Sequence, residues 1–457
     1  MKVDTLETTI VKPVHHDRRR LWLSNLDLLH GRIHLPTVYL FRPSSSWSPA
    51  GAGDDDVRSS VASKQKGYFD AKLLKEALSR TLVTFYPLAG RLARGDEEGG
   101  RVEVDCNGEG VLFREAEADA SLDELGEFMP GAELLKLVPR VDYSQGISSY
   151  PLVVLQVTRF KCGGVSLGTG IHHSLADGES ALSFINTWSN MARGLPPAVS
   201  PFLDRTILRA RNPPSPKFHH SEYDPAPTLI NNPNQLVNPS KKPTTMAILR
   251  FKPEELNALK ELANPGTNES KVRYSTYQIL TAHIWRCVSK ARGLADDQPT
   301  RLHMSVDGRS RLNPPVPSGY FGNVIFHATP IATVGELVKE PMVRTLERIR
   351  QAINRMDDEY LRSAIDYLED PDDPASVMQV PGTCQSPNLK IISWIRLPFE
   401  YGDFGWGKPL YCRPANLFEG KGNLLPRNAD GSLSLAICLE EDAMVAFQKL
   451  VHDVGSC

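Results

Sequence analysis

Stretches of helical period alternate with stretches of strand period along the chain, which predicts a mixed α/β architecture. Asp70 to Leu82 (DAKLLKEALSRTL) reads as an amphipathic helix running into Tyr86-Pro87-Leu88-Ala89-Gly90-Arg91, a breaker and a turn. Arg101 to Asp105 alternates as a strand. Pro151 to Val157 and Val165 to Ile171 read as two strands joined by a turn at Cys162-Gly163-Gly164. Asp177 stands where an N-cap belongs, and Ala181, Phe184, Ile185, Trp188, Met191 and Ala192 follow at helical spacing. From Gly194 to Pro243 the chain turns rich in Pro, Asn and Ser with few apolar runs, which predicts a long crossover between two domains. Beyond it the periods return. Strands are predicted at Met246–Phe251, Leu302–Val306, Val324–Ile331, Ile391–Leu397 and Ser432–Leu439. Helices are predicted at Pro253–Ala263, from a cap at Ser275 or Thr276 to Ala291, between Val334 and Leu368, and from Asp442 to Val454.

Composition changes this picture little. The chain has 457 residues, enough to bury a core without disulfide or metal staples. Lys plus Arg number 52 and Asp plus Glu 54, a balance that excludes a dedicated nucleic-acid binder. The 35 prolines exceed average usage, and the crossover holds many of them. Seven scattered cysteines without a CxxC argue for a reducing compartment and no zinc ribbon. The N-terminus MKVDTLETTIVKP has no apolar stretch of a secretory signal, and no apolar run is long enough for a membrane span. The expectation is a cytoplasmic monomer that uses neither metal nor bound cofactor and contacts neither nucleic acid nor membrane.

Three HxxxD patterns occur: His173 to Asp177, His220 to Asp224, and His303 to Asp307. His220 lies in the Pro-rich segment, where no scaffold is expected to hold it. His303 and Asp307 share a strand face, which reads as a polar pair. His173 differs, because it follows a strand, precedes a tight turn, and Asp177-Gly178 opens a helix. Rigid elements would fix such a side chain and still present it outward, as a catalytic group requires. Gly164-Val165-Ser166-Leu167-Gly168 matches the GxSxG of serine hydrolases, but that elbow needs a helix directly after the serine. Here the strand continues to Ile171, so the match reads as chance. Asp403-Phe404-Gly405-Trp406-Gly407-Lys408 allows close backbone approach at its glycines, reading either as a buried turn or as a ligand wall.

His173-Ser-Leu-Ala-Asp177-Gly178 in mid-chain, with Asp403-Phe-Gly405-Trp406-Gly407 near the C-terminus, resembles the plant BAHD acyl-CoA-dependent acyltransferases. Ser24-Asn25-Leu26-Asp27, Tyr86 to Arg91, Ser148-Ser149-Tyr150-Pro151, Phe184 to Trp188, Asp307-Gly308-Arg309-Ser310-Arg311 and Tyr320-Phe321-Gly322-Asn323 look like its hydroxycinnamoyltransferase branch. The resemblance implies two similar chloramphenicol-acetyltransferase-like domains, 1–195 and 245–457, joined by a crossover loop at 196–244, with an active-site channel between them. It implies a hydroxycinnamoyl-CoA substrate (p-coumaroyl, caffeoyl or feruloyl). His173 would be the general base and Trp406 the oxyanion donor. Asp177 would pair with Arg309 and serve structure, as would Asp403, Gly405 and Gly407. Lys252, Ser275 and Thr276 are the expected CoA contacts. An inactive acyl-CoA-binding relative is the non-enzyme alternative.

Two positions depart from the shikimate-specific members of that branch. Gln385 stands where they carry an Arg that would clamp a carboxylate, and Leu35 replaces a hydroxyl residue in His34-Leu35-Pro36-Thr37-Val38-Tyr39. Glu179 adds an acid just after the His173 motif, which suits a cationic acceptor or simply the start of a helix. The expected acceptor is therefore an aliphatic amine such as putrescine or agmatine, with His34, Leu35, Thr37, Tyr39, Glu179 and Gln385 around it. Transfer to shikimate, quinate or another alcohol is the alternative.

Overall fold

The computed structural model describes residues 1–43, 67–95, 100–230, 242–264, 273–369 and 383–454. Its strands, in chain order, are β1 (Val3–Val11), β2 (Arg19–Trp22), β3 (His34–Phe41), β4 (Arg91–Arg94), β5 (Val102–Cys106), β6 (Val111–Ala118), β7 (Val153–Phe160), β8 (Val165–His172), β9 (Thr244–Phe251), β10 (Pro299–Asp307), β11 (Ile325–Ala328), β12 (Ile331–Thr333), β13 (Leu389–Ser393), β14 (Tyr411–Pro414), β15 (Lys421–Leu424) and β16 (Leu433–Glu440). Two compact units result.

The first unit comprises Met1–Arg209, Pro317–Asn323 and Leu397–Asn416. Its main sheet runs β1-β6-β7-β8-β3-β14, and a small sheet runs β2-β5-β4. β8 lies centrally and is buried along its whole length. It needs glycine inside it: a Cβ on Gly168 would stand 1.8 Å from the Leu137 carbonyl oxygen. The helix Gly178–Ala192 buries Leu182, Phe184, Ile185 and Trp188, and it packs on the helix Ala71–Thr84. Trp188 Nε1–H donates to the Leu74 carbonyl at 3.0 Å, so the largest side chain of that face is buried without an unmet donor.

The second unit comprises Ala210–Val316, Val324–Arg396 and Leu417–Cys457, and its sheet runs β11-β10-β13-β15-β16-β9, with β12 paired to β10. The helix Thr276–Ala291 is its central helix, buried from Ile279 to Ser289 and capped by Ser275.

Three expectations are corrected here. The units are not contiguous halves divided at 195 and 245. β14 pairs antiparallel with β3, Tyr411 opposite Leu40, so Leu397–Asn416 joins the first unit and carries the DFGWG segment with it. The Pro-rich segment is not a bare linker. Arg205 in the 3-10 turn Arg205–Leu208 is 1% exposed. His220 is buried against Ser363 Oγ (2.9 Å) and Glu222 Oε1 (3.0 Å). Residues 231–241 of that segment lie outside the described ones. Finally, His303 and Asp307 do not pair. His303 is fully buried, whereas Asp307 accepts from Arg309, through its backbone N–H at 2.9 Å and Nη1 at 3.2 Å. Ser166 is buried in mid-strand, where no helix follows it.

Candidate active site

His173 leaves the end of β8 with its backbone N–H donated to the Ile33 carbonyl at 2.9 Å, which continues the β3–β8 ladder one step past His34–His172. Strand alternation then brings its side chain out on the face of Ile171 and Leu35. The imidazole is half-buried and lies flat on His30, ring centroids 3.9 Å apart and planes 2° from parallel. The backbone turns at once, with Leu175 N–H bonded to the His172 carbonyl at 2.9 Å. Asp177 then caps the helix Gly178–Ala192, its Oδ1 accepting from Ser180 N–H at 3.0 Å, and is itself 2% exposed. Strand end, tight turn and capped helix together fix the height and direction of His173.

A buried ion pair supports this turn from beneath. Asp27 and Arg205 meet at 3.0 Å (Nη1 to Oδ1), with both side chains 0% exposed. Arg205 also donates to the carbonyls of Ser174 (3.2 Å) and Leu175 (2.7 Å), the two residues that follow His173. Asp27 Oδ2 accepts from Ser24 backbone N–H and Oγ, while Oδ1 accepts from Asn323 N–H and Nδ2. Asn323 Nδ2 closes the circuit at the His173 carbonyl, 2.8 Å away. Ser180 Oγ binds the neighbouring Tyr320–Gly322 backbone, donating to the Gly322 carbonyl at 2.9 Å and accepting from its N–H at 3.1 Å. Sequence reasoning missed Arg205, because it lies in a stretch without periodicity. The S-x-x-D capping box at Ser24–Asp27 was the available signal that a carboxylate is folded inward there.

The DFGWG segment sits elsewhere in the same unit, which corrects the oxyanion role expected of Trp406. Asp403 Oδ1 accepts from Gly405 N–H (2.8 Å) and Gly407 N–H (3.0 Å), and both glycines hold positive φ, +100° and +107°. Trp406 stacks toward Phe69 and Tyr68, with centroids at 5.0 and 6.2 Å. Phe404 meets Trp188 at 4.8 Å, Tyr401 O accepts from Ser189 Oγ at 3.0 Å, and Gly405 lies against Arg193. All of these helix partners are at the C-terminal end of Gly178–Ala192, whereas His173 precedes its N-terminus. Fifteen residues at 1.5 Å each separate the two ends by about 22 Å. Removing an oxyanion donor costs about 100- to 1,000-fold in kcat. Trp406→Phe should therefore keep kcat within about threefold while lowering Tm, and a loss of about 100-fold at unchanged Tm would return the tryptophan to the chemistry.

The expected acceptor residues divide by strand face. His34 is buried on the face opposite Leu35, Thr37 and Tyr39. Its Nε2 meets the Pro151 carbonyl at 2.8 Å. Its Nδ1 meets Tyr143 OH, also at 2.8 Å, and burial pushes its pKa down to about 4. A neutral ring with both nitrogens engaged is a strut, so His34 is withdrawn from the acceptor group. Leu35 and Thr37 are half-buried, and Tyr39 is buried with its ring 6.0 Å from Phe399. Glu179 is exposed in the first turn of the helix that follows His173.

The remaining expected residues belong to the second unit. Gln385 is half-buried in a turn, its carbonyl accepting from Asn388 N–H at 2.8 Å. Arg309 contacts Asp307 as described. Lys252 and Ser275 stand at the N-caps of the helices Pro253–Ala263 and Thr276–Ala291, both exposed, with Thr276 opening the second helix. No described helix is long and apolar enough to cross a membrane.

Solved structures place this fold in a class. Vinorine synthase superposes with a TM-score of 0.69 at 22% identity, over 97% of this chain and 96% of that one. The Fusarium sporotrichioides protein TRI101, solved with coenzyme A and T-2, gives 0.75 at 21% identity over 94% and 97%. These likenesses show a shared mixed α/β fold. At the sequence level the model of the Transferase family matches residues 1–453. A hydroxycinnamoyltransferase of Narcissus pseudonarcissus is 49% identical over 99% of this chain and all of its own length. Shikimate O-hydroxycinnamoyltransferase of Nicotiana tabacum is 48% identical with the same coverage. So is hydroxycinnamoyl-CoA:5-hydroxyanthranilate N-hydroxycinnamoyltransferase HHT4 of Avena sativa. The chain belongs to this family, the BAHD acyltransferases, and is an acyl-CoA-dependent acyltransferase.

Proposed function

We propose that the chain transfers a hydroxycinnamoyl group from its CoA thioester to the nitrogen of a small primary amine. The carrying observation is His173, a half-buried imidazole held at a strand-to-helix junction by backbone bonds on both sides and by the Asp27–Arg205 pair beneath. A neutral imidazole nitrogen accepts a proton, so His173 can take the one the acceptor gives up as it attacks the thioester carbonyl. The tetrahedral intermediate then collapses, its carbon–sulfur bond breaks, and CoA leaves as the thiolate. Asp177 serves this step by capping the helix behind it.

The relatives' names support the hydroxycinnamoyl donor, and they include both N- and O-transferases at 48% identity. The amine reading rests on the exposed Glu179 carboxylate in the first turn of its helix, three residues before the buried Leu182, and on Gln385, which offers no cation to a carboxylate acceptor. Lys252, Ser275 and Thr276, at helix N-termini that favour anions, are proposed CoA contacts.

The test is thiol release by the purified chain from p-coumaroyl-CoA, with putrescine, agmatine, spermidine, tyramine, shikimate, quinate and glycerol offered singly. Amines should give the highest kcat/KM. Shikimate or quinate in first place would overturn the acceptor, and acyl-CoA binding without release for any acceptor would overturn the transferase reading itself.

A further inference from the structure

One row of side chains in the second unit carries charge without a counter-charge. The parallel registers set His303 beside Lys390 and Lys390 beside Lys421, so three basic side chains share one face of β10, β13 and β15. Neighbouring strands lie about 4.8 Å apart, which puts the three in a short file. His303 is fully buried, and neither of its ring nitrogens has a hydrogen-bond partner among the described residues. Both lysines are half-buried. Among the described residues neither ammonium forms a salt bridge or hydrogen bond, and Lys421 Nζ has only the Phe418 ring, 6.0 Å away.

The neighbouring groups do not neutralise them. Cys384 lies close to both lysines, but burial raises its pKa and keeps it a neutral thiol. Glu419 accepts from Ser386 N–H at 2.8 Å and faces Arg292 at 3.9 Å. Burial lowers the pKa of Lys390. Burial and the charge of Lys390 together bring Lys421 down to about 8. Two adjacent ammonium groups taken partly out of water, with a buried imidazole N–H left unmet, are each unfavourable, and one bound oxyanion would relieve all three.

We propose that His303, Lys390 and Lys421 form an anion site that takes the carboxylate or phosphate group of a small molecule. The two ammonium groups supply the charge, and the imidazole, neutral because burial holds its pKa at about 3, supplies a directed N–H. The site does not depend on the acceptor proposed above, since it is defined by residues of one sheet.

The full chain should be titrated calorimetrically with inorganic phosphate and, separately, with benzoate, alongside thermal unfolding in the same solutions. At least one anion should bind and raise Tm. Lys390→Met and Lys421→Met should each weaken that binding about tenfold or more. Both should also raise Tm in anion-free buffer, because a half-buried cation without a counter-charge is replaced by an apolar chain of similar length. Lys421→Arg, which keeps the charge, should retain binding and guards against loss through misfolding. Preference for phosphate or for benzoate identifies the ligand class. An anion response of equal size in wild type and both Met variants, or none in wild type, would overturn the site.

Discussion

His173→Ala should lower kcat by about 1,000-fold while leaving the melting temperature within about 1 °C of wild type. The rate effect follows from the chemistry of the acceptor. An aliphatic ammonium must give up a proton to become a nucleophile, and an alcohol gives up its proton as it attacks the thioester, so a positioned base contributes in the range the expected loss reflects. The small stability effect follows from the geometry. The backbone of residue 173 makes the bonds that matter to the fold, through its N–H to Ile33 and its carbonyl to Asn323, and alanine keeps both. The side chain stacks on His30 from a half-buried position at the surface of the turn. Turnover within tenfold of wild type, measured by thiol release under saturating acyl-CoA, would remove His173 from the reaction.

Arg205→Met should lower Tm by about 10 °C and kcat with it. Breaking a buried pair from one side costs about 3–5 kcal/mol, and a unit of about this size loses about 2–4 °C per kcal/mol. Asp27 would be left fully buried with its carboxylate facing hydrogen-bond donors but no cation. The Ser174 and Leu175 carbonyls would lose their donors at the turn that aims His173. Adding Asp27→Leu to Arg205→Met should recover part of the lost Tm, since the stranded charge goes, yet kcat should stay low because the turn remains unsupported. A single variant with wild-type Tm would show that the pair supports nothing. Differential scanning calorimetry with parallel turnover assays separates these outcomes.

The parts of this arrangement that show in the chain are the local ones. β8 announces itself as an apolar run opened by a Gly-containing turn, Asp177 as a cap, and the helices Pro253–Ala263 and Thr276–Ala291 lie where period and caps put them. β1 escapes notice because most of its side chains face water, which leaves no alternating apolar signal. Arg205 escapes for a different reason. Its partners Asp27, Ser174 and Leu175 are distant in sequence, and Asn323 is 296 positions from Asp27. A Pro-rich stretch reads as linker unless a buried charge such as Arg205 is known to have somewhere to go. Trp406 was misplaced on the same ground, since a motif gives a residue's identity without its distance from His173. His34 was misplaced by ignoring alternation, which puts it on the opposite face from Leu35 and Thr37.

The central claim, acyl transfer to nitrogen, is tested most directly by one competition. Purified enzyme is given p-coumaroyl-CoA with putrescine and shikimate at equal concentration, and the products are separated and identified by mass. The expected result is the putrescine amide as the main product, formed together with stoichiometric free CoA. A mixture dominated by the shikimate ester would contradict it.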